Sequence, residues 1–311
     1  MTLQSISPTT TIPSIMSCGH PLDSAPENLG ELRSSAHLVD DARALRERME
    51  EDGYLYLPGY LDRDLVLEAR HDIFTRLAAE GYLQPDTPIM EAYAAPERKS
   101  GLRADIARAS EPLQRLLYSG RMRDFYTHFL GGEVLHYDYT WLRAVRPGHG
   151  TPPHGDSVYM NRGTQNLYTG WVPLGDVSYE LGGLMMLEGS HKLDRIRNHY
   201  GKKDVDAYCS NRPDAPEYAS GRKWWSGWLS NNPRYLRQRL GGRWLTGEFR
   251  AGDLLTFTMF TVHGSLDNTT PDRIRLSCDF RYQLASEQVD ERWVGENPIG
   301  HTSAGKRGRV C

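Results

Sequence analysis

The run VLHYDYTWLRAVRPG at residues 134–148 sets the texture of the second half of the chain: a few aromatic, branched or otherwise apolar residues, then a Pro-Gly stop. Runs of the same make follow, namely QNLYTGWVPLGD (165–176), GGLMMLEGSH (182–191), DLLTFTMFTVHGS (253–265) and IRLSCDFRYQL (274–284). Short strands punctuated in this way predict a sandwich or barrel. Upstream the period changes. In residues 32–53, Leu38, Ala42, Leu45 and Met49 recur at helical spacing and Gly53 closes the segment. GYLYLPGYLD then reads as a short strand, Leu65, Ala69, Ile73 and Leu77 mark a second helix ending at Gly81, and LQRLLYSGRMRDFYTHFLGG predicts further helix. The expectation is a mainly β protein with a helical N-terminal third.

Composition narrows the function. With 311 residues, 39% hydrophobic and 25% charged, the chain has the make-up of a globular protein with a sizeable core. No apolar run approaches the roughly 18 residues of a membrane-spanning helix. Lys and Arg number 37 against 40 Asp and Glu, a formal charge of −3, which gives no net attraction to nucleic acid. Cys18, Cys209, Cys278 and Cys311 are scattered without a C-x-x-C pair, so neither a zinc-thiolate site nor a disulfide framework is expected. The start of the chain is rich in Ser, Thr and Pro and lacks a signal-peptide pattern, which predicts a flexible leader over residues 1–30 and a cytoplasmic protein. Residues 31–311 then form one domain: helical support over 31–132, a β core over 133–290, and within it a polar insertion at 192–247. That insertion carries Trp224, Trp225, Trp228 and Trp244 and reads as a lid or as a packed surface excursion.

The chemistry concentrates in RPGHGTPPHGDSVYM (146–160). An extended backbone would put His154 and Asp156 on one face. His263 ends the apolar run TFTMFTVH, which predicts a buried strand. Two histidines and a carboxylate are the facial ligand set of non-haem iron(II) oxygenases, with positions left open on the metal. His136 and Asp138 form a rival H-x-D pair, but they sit inside a Tyr- and Trp-rich strand, whereas His154 follows a Gly/Pro turn that brings a strand end to a rim. Beyond His263, Arg273, Arg275 and Ser277 share one strand face. A guanidinium beside a hydroxyl suits a carboxylate, and a metal triad followed by such an arginine suits a co-substrate with two carboxylate ends, such as 2-oxoglutarate.

DGYLYLPGYL, HGDSVYM, WVPLGD, GGLMMLEGSHK, AGDLLTF, HGSLDN and the arginines after it, in this order, resemble the phytanoyl-CoA dioxygenase-like family of Fe(II)/2-oxoglutarate-dependent oxygenases. The resemblance spans most of the chain. It implies a double-stranded β-helix, the cupin-like jelly roll, flanked by helices. It implies iron held by His154, Asp156 and His263, and 2-oxoglutarate contacted by Ser265, Trp171 and an arginine. Arg275 fits the family's D-R-x-R and R-x-S spacing with Ser277, and Arg273 fits if a gap is placed differently. EGSH replaces the family's usual PGSH at a turn. Related halogenases lack the carboxylate ligand, so Asp156 favours oxygen transfer. Tyr159, Asn166 and His191 are candidates to face the substrate, each with packing or turn hydrogen bonding as the alternative account.

The implied reaction is hydroxylation of an unactivated C–H bond of a small organic molecule, possible natural-product intermediates included, with O2 consumed and succinate and CO2 released. Desaturation, cyclisation and epoxidation share the same chemistry. Two other readings fit the residues: a metal-binding cupin-like isomerase or hydrolase that uses no 2-oxoglutarate, and a non-catalytic binding module. Oligomeric state is not legible in the sequence.

Overall fold

In the computed structural model, which describes residues 15–96 and 101–311, the predicted strands assemble into two packed sheets. The larger orders its strands Tyr54–Leu57, Leu254–Thr258, Tyr168–Pro173, Arg275–Leu284, Trp141–Val145 and Gly101–Leu102, with Val134–His136 also paired to the long strand Arg275–Leu284. The smaller runs His263–Ser265, Leu184–Leu187, Trp244–Thr246, Leu29–Glu31. Trp171, Leu255 and Phe257 from the first sheet meet Leu184, Met186 and Leu245 from the second, so the two inner faces share one apolar layer. This is the expected jelly roll with flanking helices.

The long strand explains how the layers are built. Its sequence RLSCDFRYQL alternates strictly, and every residue from Arg275 to Gln283 is buried. Leu276, Cys278, Phe280 and Tyr282 face outward into a core shared with the helices Arg63–Ala79, Glu111–Tyr118 and Gly120–Leu130. Tyr282 stacks on Tyr126 at 4.2 Å between ring centroids. Arg275, Ser277, Asp279, Arg281 and Gln283 therefore point between the sheets. Alternation of this kind usually marks a sheet with one wet face; here helices cover the apolar face, and the polar one is turned into the sandwich.

Local signals place the helices. Asp41 accepts backbone N–H groups of Arg43 and Ala44, and Gly53 closes the helix Ala42–Asp52 in the left-handed conformation at φ +79°. That helix is shorter than the periodicity from residue 32 predicts, because Ser35 N–H bonds Tyr56 O and Asp41 offers the cap just before Ala42. Asp62 caps Arg63–Ala79 in the same way.

Three expectations need correction. Residues 15–30 pack as part of the fold: Ser17 Oγ donates to Ser265 O, Cys18 and Gly19 N–H donate to the Asp267 carboxylate, and Leu29–Glu31 extends the smaller sheet. Residues 1–14 of the expected leader lie outside the described residues. Trp244, assigned to the insertion, is a core strand residue with 1% exposure, since Trp244–Thr246 is apolar enough to fill a sheet position between Leu184–Leu187 and Leu29–Glu31. Lastly, Cys209 and Cys311 form a disulfide across 102 residues. It lies beside the parallel pair Ala207–Cys209 and Arg307–Arg309, and the buried Asp206 carboxylate next to it accepts from Arg292, His301 and Lys306. No local spacing announces a bond that only tertiary packing brings together.

Because the bond closes a long loop, Cys311→Ser should cost up to about 4–5 kcal/mol in the chain-entropy limit. Urea midpoints measured without reductant should be lower for Cys311→Ser than for the wild type, and should converge in dithiothreitol. Equal midpoints without reductant would mean that the bond does not form.

Candidate metal centre

His154 and His263 exchange backbone hydrogen bonds across an isolated antiparallel bridge, N to O 2.9 Å in each direction, so the strand His263–Ser265 positions both histidines. Asp156 departs from the extended geometry expected for H-x-D. Gly155 is extended, and Asp156 opens the 3-10 turn Asp156–Val158. The turn still delivers the carboxylate: Asp156 Oδ1 lies 3.9 Å from Nε2 of His154 and 3.9 Å from Nε2 of His263. One donor atom from each residue falls within 4.8 Å of the others, and all three side chains are buried.

The surrounding hydrogen bonds aim these atoms. His154 Nδ1 lies 2.8 Å from Pro152 O and His263 Nδ1 lies 3.0 Å from Thr261 O. A carbonyl only accepts, so the proton of each ring sits on Nδ1 and each Nε2 lone pair is free for a metal. Asp156 Oδ2 accepts from Thr169 Oγ1 at 2.5 Å and Arg281 Nη2 at 3.0 Å, which leaves Oδ1 to face the histidines. Burial lowers the His154 pKa to about 3, assisted by His263, and burial lowers that of His263 as well. Burial alone would raise Asp156, but the Arg281 guanidinium and the Thr169 hydroxyl hold it well below the ordinary carboxylate range. Neutral imidazoles and an ionised carboxylate are the protonation states a divalent metal requires. The donor set, its tautomers and its burial all fit iron(II).

A small cavity adjoins the triad, lined by His154, His263, Thr151, Ser265, Arg275 and Asp279 among others. Arg275 is 1% exposed; its Nη1 donates to Ser277 Oγ at 3.0 Å, while Nε and Nη2 have no partner. Burial lowers its pKa to about 10, which leaves it charged at neutral pH. A buried guanidinium with open donors asks for an anion. The distal carboxylate of 2-oxoglutarate fits that need.

Other sequence candidates scatter. Ser265 lines the cavity, and its Oγ accepts from Thr151 N–H. Trp171 pairs in register with Asp279 on the inner face, its ring against Phe249 and its Nε1 unpartnered. Arg273 is elsewhere: it pairs with Glu91 and stacks on Tyr93 at the surface, because residue 273 precedes the long strand and never enters its inward alternation. Tyr159 sets its ring 5.6 Å from that of His154 and donates its hydroxyl to Ser226 O, in the insertion. Asn166 donates to Glu287 at the surface, and His191 bonds Glu50 O; both line a separate cleft with Arg46 and Arg197. The rival His136 and Asp138 lie 3.8 Å apart, with His136 stacked on Tyr118 and Asp138 accepting from Gly295 N–H; neither joins a third ligand among the described residues.

Sequence reading missed Arg281, Thr169 and Arg143. The signal for Arg281 was present, since it continues the same-face series from Arg275 by steps of two. Thr169 stands opposite Arg281 in register and is invisible without that pairing.

Comparison with known proteins settles the family. The family model for phytanoyl-CoA dioxygenase (PhyH) matches residues 49–277. The chain belongs to the phytanoyl-CoA dioxygenase family, the non-haem iron, 2-oxoglutarate-dependent dioxygenases. Over 278 residues it is 26% identical to 1-deoxypentalenic acid 11-beta-hydroxylase of Streptomyces exfoliatus, covering 84% of this chain and 87% of the relative. The Streptomyces arenae protein of the same name is 27% identical over 262 residues, 80% of this chain and 83% of its own. Among solved structures, the epimerase SnoN in complex with Fe3+, alpha ketoglutarate and nogalamycin RO aligns at TM-score 0.55 and 22% identity, covering 83% of this chain and 92% of that one. EctD from S. alaskensis with 2-oxoglutarate and 5-hydroxyectoine gives 0.55 and 20% over 98% and 96%. These structures share the fold.

The buried histidines make a pH signature. In the folded metal-free protein His154 protonates only near 3, against an ordinary value of 6.5. The unfolded chain thus binds the extra proton between those values, and stability falls as pH drops through that window by about 1.4 kcal/mol per pH unit for each such group. Urea unfolding of apo protein between about pH 7 and pH 4 should show this slope, and His154→Asn should flatten it. An unchanged slope in the variant would mean that His154 is charged in the native state.

Proposed function

We propose that this protein is an Fe(II)- and 2-oxoglutarate-dependent dioxygenase that hydroxylates a C–H bond of a small organic molecule, with release of succinate and CO2. The observation that carries the reading is the pair of unpartnered nitrogens on buried Arg275, in one cavity with the His154–Asp156–His263 triad. The relatives named 1-deoxypentalenic acid 11-beta-hydroxylase act on a small organic acid, which supports a small-molecule substrate here.

Iron and 2-oxoglutarate, when bound together, would supply the oxidising chemistry with O2. The residues do the rest. His154 and His263 present Nε2 and Asp156 presents Oδ1 as metal ligands. Arg281 and Thr169 keep the second Asp156 oxygen occupied, so the aspartate would offer a metal Oδ1 alone. Arg275 and Ser277 would take the distal carboxylate of 2-oxoglutarate, with Ser265 lining the same cavity and Trp171 opposite the cavity residue Asp279 in register. The insertion, now bounded near residue 240, acts as a lid: Leu229 N–H bonds Pro153 O, and Tyr200 Oη ties Gly155 to Gly227. The described residues, the packed segment 15–30 included, work as one oxygenase domain. We place the enzyme in the cytoplasm, where a reducing thiol pool would act on the Cys209–Cys311 bond through the exposed Cys311.

Anaerobic titration of the Fe(II)-loaded protein with 2-oxoglutarate tests this reading through the visible charge-transfer band of the chelate. The wild type should develop the band, His154→Ala should lose it, and Arg275→Ala should need at least about tenfold more 2-oxoglutarate, as expected for loss of charge-assisted hydrogen bonds. Bound iron without a band in the wild type would refute co-substrate use and leave the cupin-like reading.

A further inference from the structure

The site holds more positive charge than iron and 2-oxoglutarate account for. Arg143, Arg275 and Arg281 approach the triad, and among the described residues Asp156 and Asp279 are the only carboxylates hydrogen-bonded to them. A divalent metal and a dianionic co-substrate cancel each other, so three guanidiniums face two carboxylates. The neighbouring network offers no relief: Arg162, Arg292 and Lys306 there are matched by Asp204, Asp206 and Asp290. A cation left unpaired in a low-dielectric site is costly, and a protein that maintains one is matched to an anion that arrives.

Arg143 is the guanidinium placed to receive it. It stands opposite Ser277 in register, pointing inward, and Nε donates to Asp279 Oδ2 at 2.6 Å. That single bond fixes the plane of the guanidinium and commits none of its terminal nitrogens, and the residue lines the cavity beside His154 and Arg275. Its side chain is 24% exposed, whereas Arg275 is 1% exposed. The two therefore differ in access: Arg275 is enclosed, whereas Arg143 lines the same cavity and is partly open to solvent. Tyr139 and Tyr159 are close enough for the Arg143 charge to oppose the upward push of burial on their hydroxyls. Tyr139 packs on Trp141 and Trp293, which gives an aromatic wall next to the cation.

Resting on the 2-oxoglutarate reading, we propose that Arg143 binds an anionic group of the organic substrate, so that the enzyme acts on a monoanionic acid, a carboxylate on an apolar body, in preference to neutral molecules. Asp279 is the positioning residue that keeps the Arg143 fork turned to the cavity.

The test uses the anaerobic Fe(II)·2-oxoglutarate protein, with cyclohexanecarboxylate and the neutral isostere cyclohexanecarboxamide as probes, read as perturbation of the charge-transfer band. The wild type should respond to the acid at concentrations at least about tenfold below the amide, the worth of a charge-assisted fork. Arg143→Gln should abolish that preference while keeping half-saturation by 2-oxoglutarate within about threefold, a shift below the worth of one hydrogen bond. Arg143→Lys, which keeps the charge and loses the fork, should retain part of it, and thermal unfolding of each variant reports that it is folded. Equal response to acid and amide in the wild type, or an intact preference in Arg143→Gln, overturns the proposal. So does a large rise in the 2-oxoglutarate requirement of Arg143→Gln, which would assign Arg143 to the co-substrate. Absence of the band in iron-loaded wild type is a different failure, that of the 2-oxoglutarate reading itself.

Discussion

The divided carboxylate of Asp156 is the constraint on which the site depends. Oδ2 is taken by Arg281 and Thr169, and Oδ1 turns to the two histidines. Each half of that division comes from the sheet. Arg281 and Thr169 are register partners on adjacent strands, so their side chains emerge side by side on the inner face. Asp156 reaches them because Gly155 and the following 3-10 turn lift it off the strand line that His154 shares with His263. A simple extended H-x-D would leave the carboxylate on the same line as the histidine; the turn lets it approach the metal position from a second direction.

This arrangement is bought with buried charge. Arg275 and Arg281 are almost wholly enclosed, with Nε and a terminal nitrogen of each unpartnered. Such groups oppose stability, and removing Asp156 would strand Arg281, a change of the kind that costs about 3–5 kcal/mol. The outer layer offsets the cost. Leu276, Cys278, Phe280 and Tyr282 alternate with the polar residues on the same strand and enter the large apolar core under the helices. Stability and chemistry are thus carried by opposite faces of ten residues, and neither can shift register without the other.

How much of this was legible varies with the range of the signal. Local patterns did well: the strand runs, the capped helices Ala42–Asp52 and Arg63–Ala79, and the triad residues themselves stand out in the linear chain. The choice between Arg275 and Arg273 was open because both fit a loosely spaced motif. Only the start of the strand at residue 275 turns one inward and leaves the other on Glu91. Trp244 was misplaced because a three-residue strand between polar segments carries too few positions for a period to show. The packed residues 15–30 and the Cys209–Cys311 bond escaped for one reason: their partners, Asp267, Ser265 and each other, lie more than a hundred residues away, where no spacing rule applies.

The central claim is that the triad binds metal through one Asp156 oxygen, with Arg275 meeting the far end of a co-substrate. A crystal structure of the protein with Mn(II) and 2-oxoglutarate, with an anomalous map to place the metal, tests it most directly. The account predicts a metal peak coordinated by Nε2 of His154, Nε2 of His263 and Oδ1 of Asp156, with Oδ2 still on Arg281 and the distal carboxylate of 2-oxoglutarate on Arg275. A metal held elsewhere, a carboxylate that leaves Arg281 to chelate through both oxygens, or 2-oxoglutarate bound away from Arg275 would contradict it.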